Sequence, residues 1–128
     1  MVATTSAETK TDIRPDELIM AILSQLEDDT LEKNLAKIHR ALYYLKQNPK
    51  FADYLWEFDF DVMGLSPFSD LLDQVLSRLE TSHLLDTSNP SYGTYTIKQG
   101  YMREEYNKLH DKSRQIVQEM SKELLEYF

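Results

Sequence analysis

Residues 56–97 constrain the fold most strongly, because the spacing of their apolar side chains changes from strand-like to helix-like and back again. Residues 58–62 (FDFDV) alternate apolar and acidic side chains, a period of two that predicts a half-buried strand. Ser66 and Pro67 predict a helix start, since a serine hydroxyl caps free backbone N–H groups and proline suits the first helical turn. Apolar residues then recur at helical spacing over residues 66–82, which predicts an amphipathic helix with a buried face formed by Phe68, Leu71, Leu72, Val75, Leu76 and Leu79.

A short β-hairpin is predicted after this helix. Leu84 and Leu85 begin one strand, residues 89–93 (NPSYG) have the composition of a turn, and residues 95–97 return in alternation. The chain is therefore predicted to be mainly α-helical with a small β-hairpin.

Additional helices are predicted on the N-terminal side of this segment. Residues 1–12 are small and polar without a period, so we expect a flexible tail there. Pro15 lies near the start of one predicted helix, and Thr30 is the predicted N-cap of a second helix that ends before Pro49. The buried face of this second helix is predicted from a four-three rhythm of apolar residues, namely Leu31, Leu35, Ile38, Leu42 and Leu45.

A basic stripe is predicted on another face of the second helix. It consists of Lys33, Lys37 and Arg40. The ordinary interpretation of such a stripe is a solvated helix face, and the alternative is a contact for a phosphate, a nucleic acid or an acidic partner.

A single long helix is predicted for residues 101–128, because apolar residues continue at helical spacing after Gly100. At about 1.5 Å per residue such a helix reaches roughly 40 Å, which is longer than a core of this size covers. We expect either the first helix or a second copy of the chain to cover the remainder. The predicted assembly is a homodimer through this helix, with self-association residues Leu109, Ile116, Met120 and Leu124.

Several segments resemble known winged-helix proteins. The segment GTYTIKQG (93–100) resembles the wing exit of many winged-helix regulators, and a long C-terminal helix used for dimerisation is common in the PadR and MarR types. The segments LAKIHRALYYLKQ (35–47) and FDFDVMGLSPFSDLLDQVLSRLETSHLL (58–85) resemble the Panacea-type antitoxin and related small winged-helix proteins. The resemblance covers roughly residues 31–100 and implies a winged-helix fold with a regulatory role.

The predicted organisation has three parts. Residues 1–12 are the flexible tail, and residues 13–100 form a winged-helix-like domain with extra N-terminal helices. Residues 101–128 form the long C-terminal helix, which is a possible dimerisation element.

No catalytic signature is present in the sequence. The absence of cysteine excludes a disulfide framework, a thiolate metal site and a thiol nucleophile. His39, His83 and His110 fall on three different predicted elements, and we expect all three to be surface or boundary residues rather than metal ligands. There is no glycine-rich phosphate loop and no nucleophile elbow. We therefore predict a protein that is not an enzyme and that uses no metal and no cofactor.

The acidic charge of the chain is concentrated in residues 51–100. The net charge is -8, and this stretch has eight acidic residues against two basic ones. A DNA phosphate backbone would be repelled by such a surface. Asp70 and Asp73 lie on the predicted outward face of the helix before the wing, and Tyr92 and Tyr95 cluster at the wing itself. Tyrosine is favoured at protein interfaces.

Two functions remain after these considerations. The preferred hypothesis is a regulatory module that binds a protein partner with a basic surface through Asp70, Asp73, Tyr92 and Tyr95. The alternative is a winged-helix DNA-binding transcriptional regulator, which the basic stripe supports because a dimer could present two stripes side by side.

A cytoplasmic location is expected from two observations. No run of apolar residues approaches the 18 that a membrane-spanning helix needs. Residues 1–10 lack the basic start and the apolar centre of a secretory signal.

Overall fold

The computed structural model describes residues 13–64, 66–87 and 93–128. Over these ranges the chain is mainly helical with a small antiparallel sheet, as the sequence predicts. In chain order the elements are α1 (Pro15–Ser24), β1 (Thr30–Glu32), α2 (Leu35–Gln47), α3 (Pro49–Ala52), α4 (Asp70–Thr81), β2 (Leu85–Asp86), β3 (Thr94–Ile97), α5 (Gln99–Asn107) and α6 (Asp111–Glu126).

Helix α1 is the centre of the core. Every residue from Leu18 to Ser24 is buried, and a helix that is apolar on all sides has to be covered on all sides. Helices α4, α5 and α6 pack against it.

The sheet has three antiparallel strands in the order β1-β3-β2. Strand β3 is central, with Tyr95 opposite Leu31 of β1 and Ile97 opposite Leu85 of β2. All four side chains are buried, so this face of the sheet closes one side of the core. The predicted pairing of the strands around Leu85 and residues 95–97 is confirmed, whereas the predicted turn residues 89–92 lie outside the described residues.

The predicted helix start at Thr30 is wrong. Thr30–Glu32 is strand β1, and helix α2 begins at Leu35, where the side chain of Asn34 accepts the backbone N–H of Lys37 at 3.1 Å. Leu31 is buried as predicted, but it reaches the core from the sheet. The physical reason is long-range pairing: β1 obtains its backbone hydrogen bonds from β3, which follows about 60 residues later in the chain.

The predicted strand at residues 58–62 is also wrong. In the described residues this segment makes a single β-bridge, between Asp61 and Phe68. Phe58 is buried and Phe60 half-buried, but Val62 is 53% exposed, so the alternation predicted from the sequence does not persist. An alternating pattern permits a strand, but only a neighbouring strand completes its hydrogen bonds.

Helix α4 begins three residues later than predicted. Its cap is Ser69 rather than Ser66, because the Ser69 hydroxyl accepts the backbone N–H of Leu72 at 3.2 Å. The predicted buried face is confirmed for Leu72, Val75, Leu76 and Leu79. Phe68, which was predicted to belong to that face, precedes the helix and is 43% exposed.

The predicted single helix over residues 101–128 is interrupted. Helices α5 and α6 are separated at residues 108–110, and both pack against α1. The first helix therefore covers much of the apolar stripe, one of the two possibilities that the sequence left open.

The residues predicted for self-association pack against the chain's own core. Met120 and Leu124 are buried, and Leu109 and Ile116 are partly buried against the same cluster. Met120 and Leu124 are thus covered within one chain and are not available to a second copy. Formation of a homodimer through the C-terminal helices stays a prediction.

Among the described helices, none combines the length and the apolar composition needed to cross a bilayer.

Candidate functional site

An open groove lies between the loop after α3 and the first two turns of α4. Its volume is about 550 Å³. We call it the acidic groove, and its lining residues are Glu57, Asp59, Phe60, Asp61, Phe68, Asp70, Leu71 and Gln74.

Backbone contacts hold the loop side of the groove in place. Asp61 and Phe68 exchange two backbone hydrogen bonds, at 2.7 and 2.9 Å. The Asp61 carboxylate also accepts the backbone N–H of Met63 at 2.9 Å. From α2, the Lys46 ammonium donates to the carbonyl oxygen of Phe58 at 2.6 Å. These contacts explain how a segment that is not a strand still presents a defined surface.

Four carboxylates line the acidic groove, and none of its lining residues is basic. Lys46 approaches Asp59 at 3.9 Å, but the Asp59 side chain is almost fully exposed. Within the described ranges, no lysine or arginine forms an ion pair with Glu57, Asp61 or Asp70. The groove therefore has a negative potential that Lys46 offsets only in part, and such a potential attracts cationic groups.

Exposed apolar side chains border the carboxylates. Phe68 lies in the groove itself, and the adjoining turn exposes Val62 and, at 91%, Met63. Contiguous patches of exposed apolar side chains mark protein interaction sites. The surface thus combines negative charge with apolar contact area.

The four residues predicted to bind a partner do not meet in one place. Asp70 lines the acidic groove, whereas Asp73 is half-buried and does not line it. Tyr95 is buried, so its predicted exposure at an interface is wrong; its hydroxyl donates to Glu80 at 3.5 Å, and burial raises its pKa to about 12. Tyr92 lies outside the described residues.

The predicted basic stripe is largely neutralised by ion pairs. Lys33 precedes α2 rather than lying on it, and its ammonium pairs with Glu80 at 3.1 Å. Lys37 pairs with Glu32 at 3.0 Å. Arg40 is half-buried and forms no ion pair within the described parts of the chain. A phosphate would have to compete with Glu80 and Glu32 for the two lysines.

His39 is a residue of the site region that the sequence analysis misjudged. It was predicted to be a surface or boundary residue, but its side chain is only 2% exposed. Its Nδ1 accepts the backbone N–H of Ser69 at 3.0 Å, and its ring stacks on Phe68 with centroids 4.6 Å apart. Burial lowers the pKa of His39, and the negative charge of Asp73 opposes this effect.

A weak signal for the burial of His39 was present in the sequence. His39 directly follows Ile38 and precedes Leu42 by three residues, so it borders the apolar face of α2. Which residue it would contact was not readable, because Phe68 and Ser69 lie about 30 residues later. His83 and His110 are exposed as predicted.

Potential metal ligands are dispersed over the described part of the chain. In that part, no group of three or more histidine, aspartate or glutamate residues is arranged to hold a metal ion.

Comparisons with family models, with curated proteins and with solved structures gave no match to this chain. The interpretation of the acidic groove therefore depends on its own chemistry.

Proposed function

We propose that this protein is a non-enzymatic regulatory module of the winged-helix type, which binds a basic segment of a partner protein in the acidic groove. The winged-helix assignment is supported by the order of its elements. The order is helix α1, strand β1, helix α2, the four-residue helix α3, helix α4, and strands β2 and β3. The last strand pairs between the other two. That order is the one expected of a winged-helix core.

The observation that carries the binding proposal is the lining of the groove. Four carboxylates without a basic neighbour in the lining lie beside the exposed side chain of Phe68. Carboxylates of this kind bind lysine ammonium or arginine guanidinium groups, and arginine also stacks on aromatic rings. We therefore propose a partner segment in which lysine or arginine alternates with apolar residues, so that it contacts the carboxylates, Phe68 and Met63 together.

Direct DNA binding is the less supported alternative. In most winged helices the helix before the wing enters the major groove, which here is α4. Its first turn carries Asp70 and Asp73, and acidic side chains at this position repel phosphates. Because the groove lies beside this same helix, its chemistry favours a cationic partner over a nucleic acid.

The proposal is tested by titrating the full chain with a lysine-leucine peptide, using the fluorescence of Trp56, the only tryptophan, which is next to Glu57. The triple variant Glu57→Gln, Asp61→Asn, Asp70→Asn removes three charges from the groove. Exposed ion pairs contribute about 0.2–1 kcal/mol each, so we expect roughly tenfold weaker binding.

The matched control removes three exposed charges elsewhere, in the variant Asp28→Asn, Glu104→Gln, Glu126→Gln. It has the same net charge as the groove variant, and we expect it to bind nearly as the unmodified protein does. Equal losses in the two triple variants would show that only net charge matters and would overturn the groove as the site. Salt-sensitive binding of duplex DNA that survives the groove substitutions and is lost in Lys37→Glu, Arg40→Glu would favour the alternative.

A further inference from the structure

His39 connects α2 to the segment that forms one side of the acidic groove. Its Nδ1 accepts the backbone N–H of Ser69 at 3.0 Å, and its ring lies nearly parallel to Phe68, with an interplanar angle of 10°. Phe68 lines the groove, and Ser69 is the N-cap of α4, which supplies three more lining residues. The placement of that side of the groove thus rests on one buried imidazole in addition to the β-bridge between Asp61 and Phe68.

The hydrogen bond to Ser69 requires a neutral imidazole. A nitrogen that accepts an N–H carries no proton, so the remaining proton of neutral His39 is on Nε2. Within the described residues Nε2 is buried and has no hydrogen-bond partner. Neither nitrogen is therefore in contact with a group that would stabilise an added proton.

Protonation would convert Nδ1 from an acceptor into a donor. Two N–H groups would then point at each other, and the contact between His39 and Ser69 would become repulsive. The N-terminus of α4 adds to this effect, because the positive end of a helix disfavours a nearby cation. A charged imidazole still stacks on an aromatic ring, so the bond to Ser69, rather than the stack on Phe68, is the acid-sensitive contact.

We propose that His39 is a positioning residue that holds the Phe68 side of the acidic groove in place only while its imidazole is neutral, so that mild acid releases this segment. The effect on partner binding rests on the proposed function of the groove, whereas the release itself does not. This contact between His39 and Ser69 would make a protein-binding surface dependent on pH without any histidine in contact with the partner.

The direction of the pH dependence follows from the burial of the His39 imidazole. Burial lowers the pKa of His39 below its usual value of 6.5, and Asp73 on α4 is the charged group whose field opposes that shift. A folded state that binds the proton less tightly than the unfolded chain keeps its full stability above pH 6.5 and loses stability as the pH falls below it. The unfolding constant should rise by up to about tenfold per pH unit until the folded-state pKa is reached.

The experiment is an NMR titration of the full chain from pH 7.5 to pH 5, with no partner present. We expect the His39 ring of the unmodified protein to show the Nε2–H tautomer at pH 7.5. On acidification, the amides of Phe68, Ser69 and Leu72 should shift, and their protection from hydrogen exchange should fall.

Two histidine variants separate the proposal from general acid effects. His39→Asn provides a side-chain oxygen that accepts the Ser69 N–H without titrating, so we expect its amides at 68–72 to be insensitive to pH over this range. His83→Asn is the matched control, because His83 is exposed and its backbone φ of 62° is one that asparagine tolerates. It should behave as the unmodified protein does.

Three results would overturn the proposal: titration of His39 at or above pH 6.5, amides at 68–72 that ignore its titration, or the same pH response in His39→Asn. Should His39→Asn fail to fold, the ring and amide titrations of the unmodified protein decide the question by themselves. Because no partner is needed, a failure of the groove as a binding site leaves this result unaffected.

Discussion

The two sides of α1 differ in whether their polar side chains face the core or the solvent. On the side of α5 and α6, the last turn of α1 is capped from a distance: Ser121 donates to the carbonyl of Ile22 at 2.7 Å and Gln99 donates to that of Leu23 at 3.2 Å. Each of these carbonyls also accepts a backbone N–H at the helix end, from Gln25 and Leu26, so the side chains add a second hydrogen bond to each. The Ser121 hydroxyl and the Gln99 amide nitrogen are directed inward and have partners, whereas the Gln99 Oε1 is buried without a hydrogen-bond partner among the described residues.

On the side of the acidic groove, polar and apolar groups face outward instead. One β-bridge joins Asp61 to Phe68, and Met63, which lies between them in the sequence, is almost fully exposed. Three of the groove carboxylates form no ion pair within the described ranges. The C-terminal helices thus complete the core, whereas the groove carries carboxylates without ion-pair partners among the described residues, as the proposed binding of a basic segment requires.

The largest expected difference in stability is between variants of two methionines, one on each side of α1. Met120→Ala deletes a side chain that is 0% exposed, and we expect it to lower the free energy of unfolding by about 2–5 kcal/mol. Met63→Ala deletes an exposed side chain, and we expect a change within about 0.5 kcal/mol. Urea unfolding followed by circular dichroism measures both. Similar values for the two would show that the contrast between the sides is not energetic.

The same pair of variants separates folding from recognition. We expect Met63→Ala to weaken binding of the lysine-leucine peptide while leaving the fold unchanged. Met120→Ala should leave peptide binding unchanged at temperatures where the protein remains folded. Reversed effects on binding would place the recognition surface on the C-terminal helices.

An intermediate effect is expected for the cap of α4, which belongs to the groove side. Ser69→Ala removes the hydroxyl that accepts the Leu72 N–H, and loss of an N-cap costs about 1 kcal/mol. Ser77→Ala, at an exposed position of the same helix, is the control. Urea unfolding gives the stability, and hydrogen exchange at Leu72 shows whether the loss is local. No difference between the two variants would argue against Ser69 as the functional cap.

The smallest effect is expected for the ion pair between Lys37 and Glu32, which belongs to neither side. Both side chains are partly exposed, and such pairs contribute about 0.2–1 kcal/mol. We therefore expect Lys37→Ala to change the free energy of unfolding by no more than about 1 kcal/mol, and by less in high salt. A loss that is larger and insensitive to salt would mean that Lys37 contributes by packing, for example over the ring of Phe128.

The candidate site was predictable in its charge but not in its shape. The concentration of acids in residues 51–100 was visible in the sequence, and Asp70, one of the residues predicted to bind a partner, lines the groove. Asp59 and Asp61 were predicted only to form the solvent-exposed face of a strand. They line the groove because the chain turns back at Gly64 to bring Phe68 opposite Asp61, a contact between residues that no local pattern relates.

The prediction that Leu35 is buried is wrong, because this residue is the first of α2 and is 40% exposed. Local patterns did predict the helical class, the burial of Ile38, Leu42 and Leu45 on α2 and of Leu72, Val75, Leu76 and Leu79 on α4, and the pairing of β2 with β3. Each of these follows from a period or a turn within a few residues, because side-chain direction repeats with the local backbone. Four further features depend on tertiary contacts: Thr30–Glu32 is a strand, residues 58–62 are not, α1 covers the C-terminal helices, and His39 is buried against Phe68. These outcomes depend on partners that are distant in the chain, and a local hydrophobic pattern carries no information about which partner will supply the missing contacts.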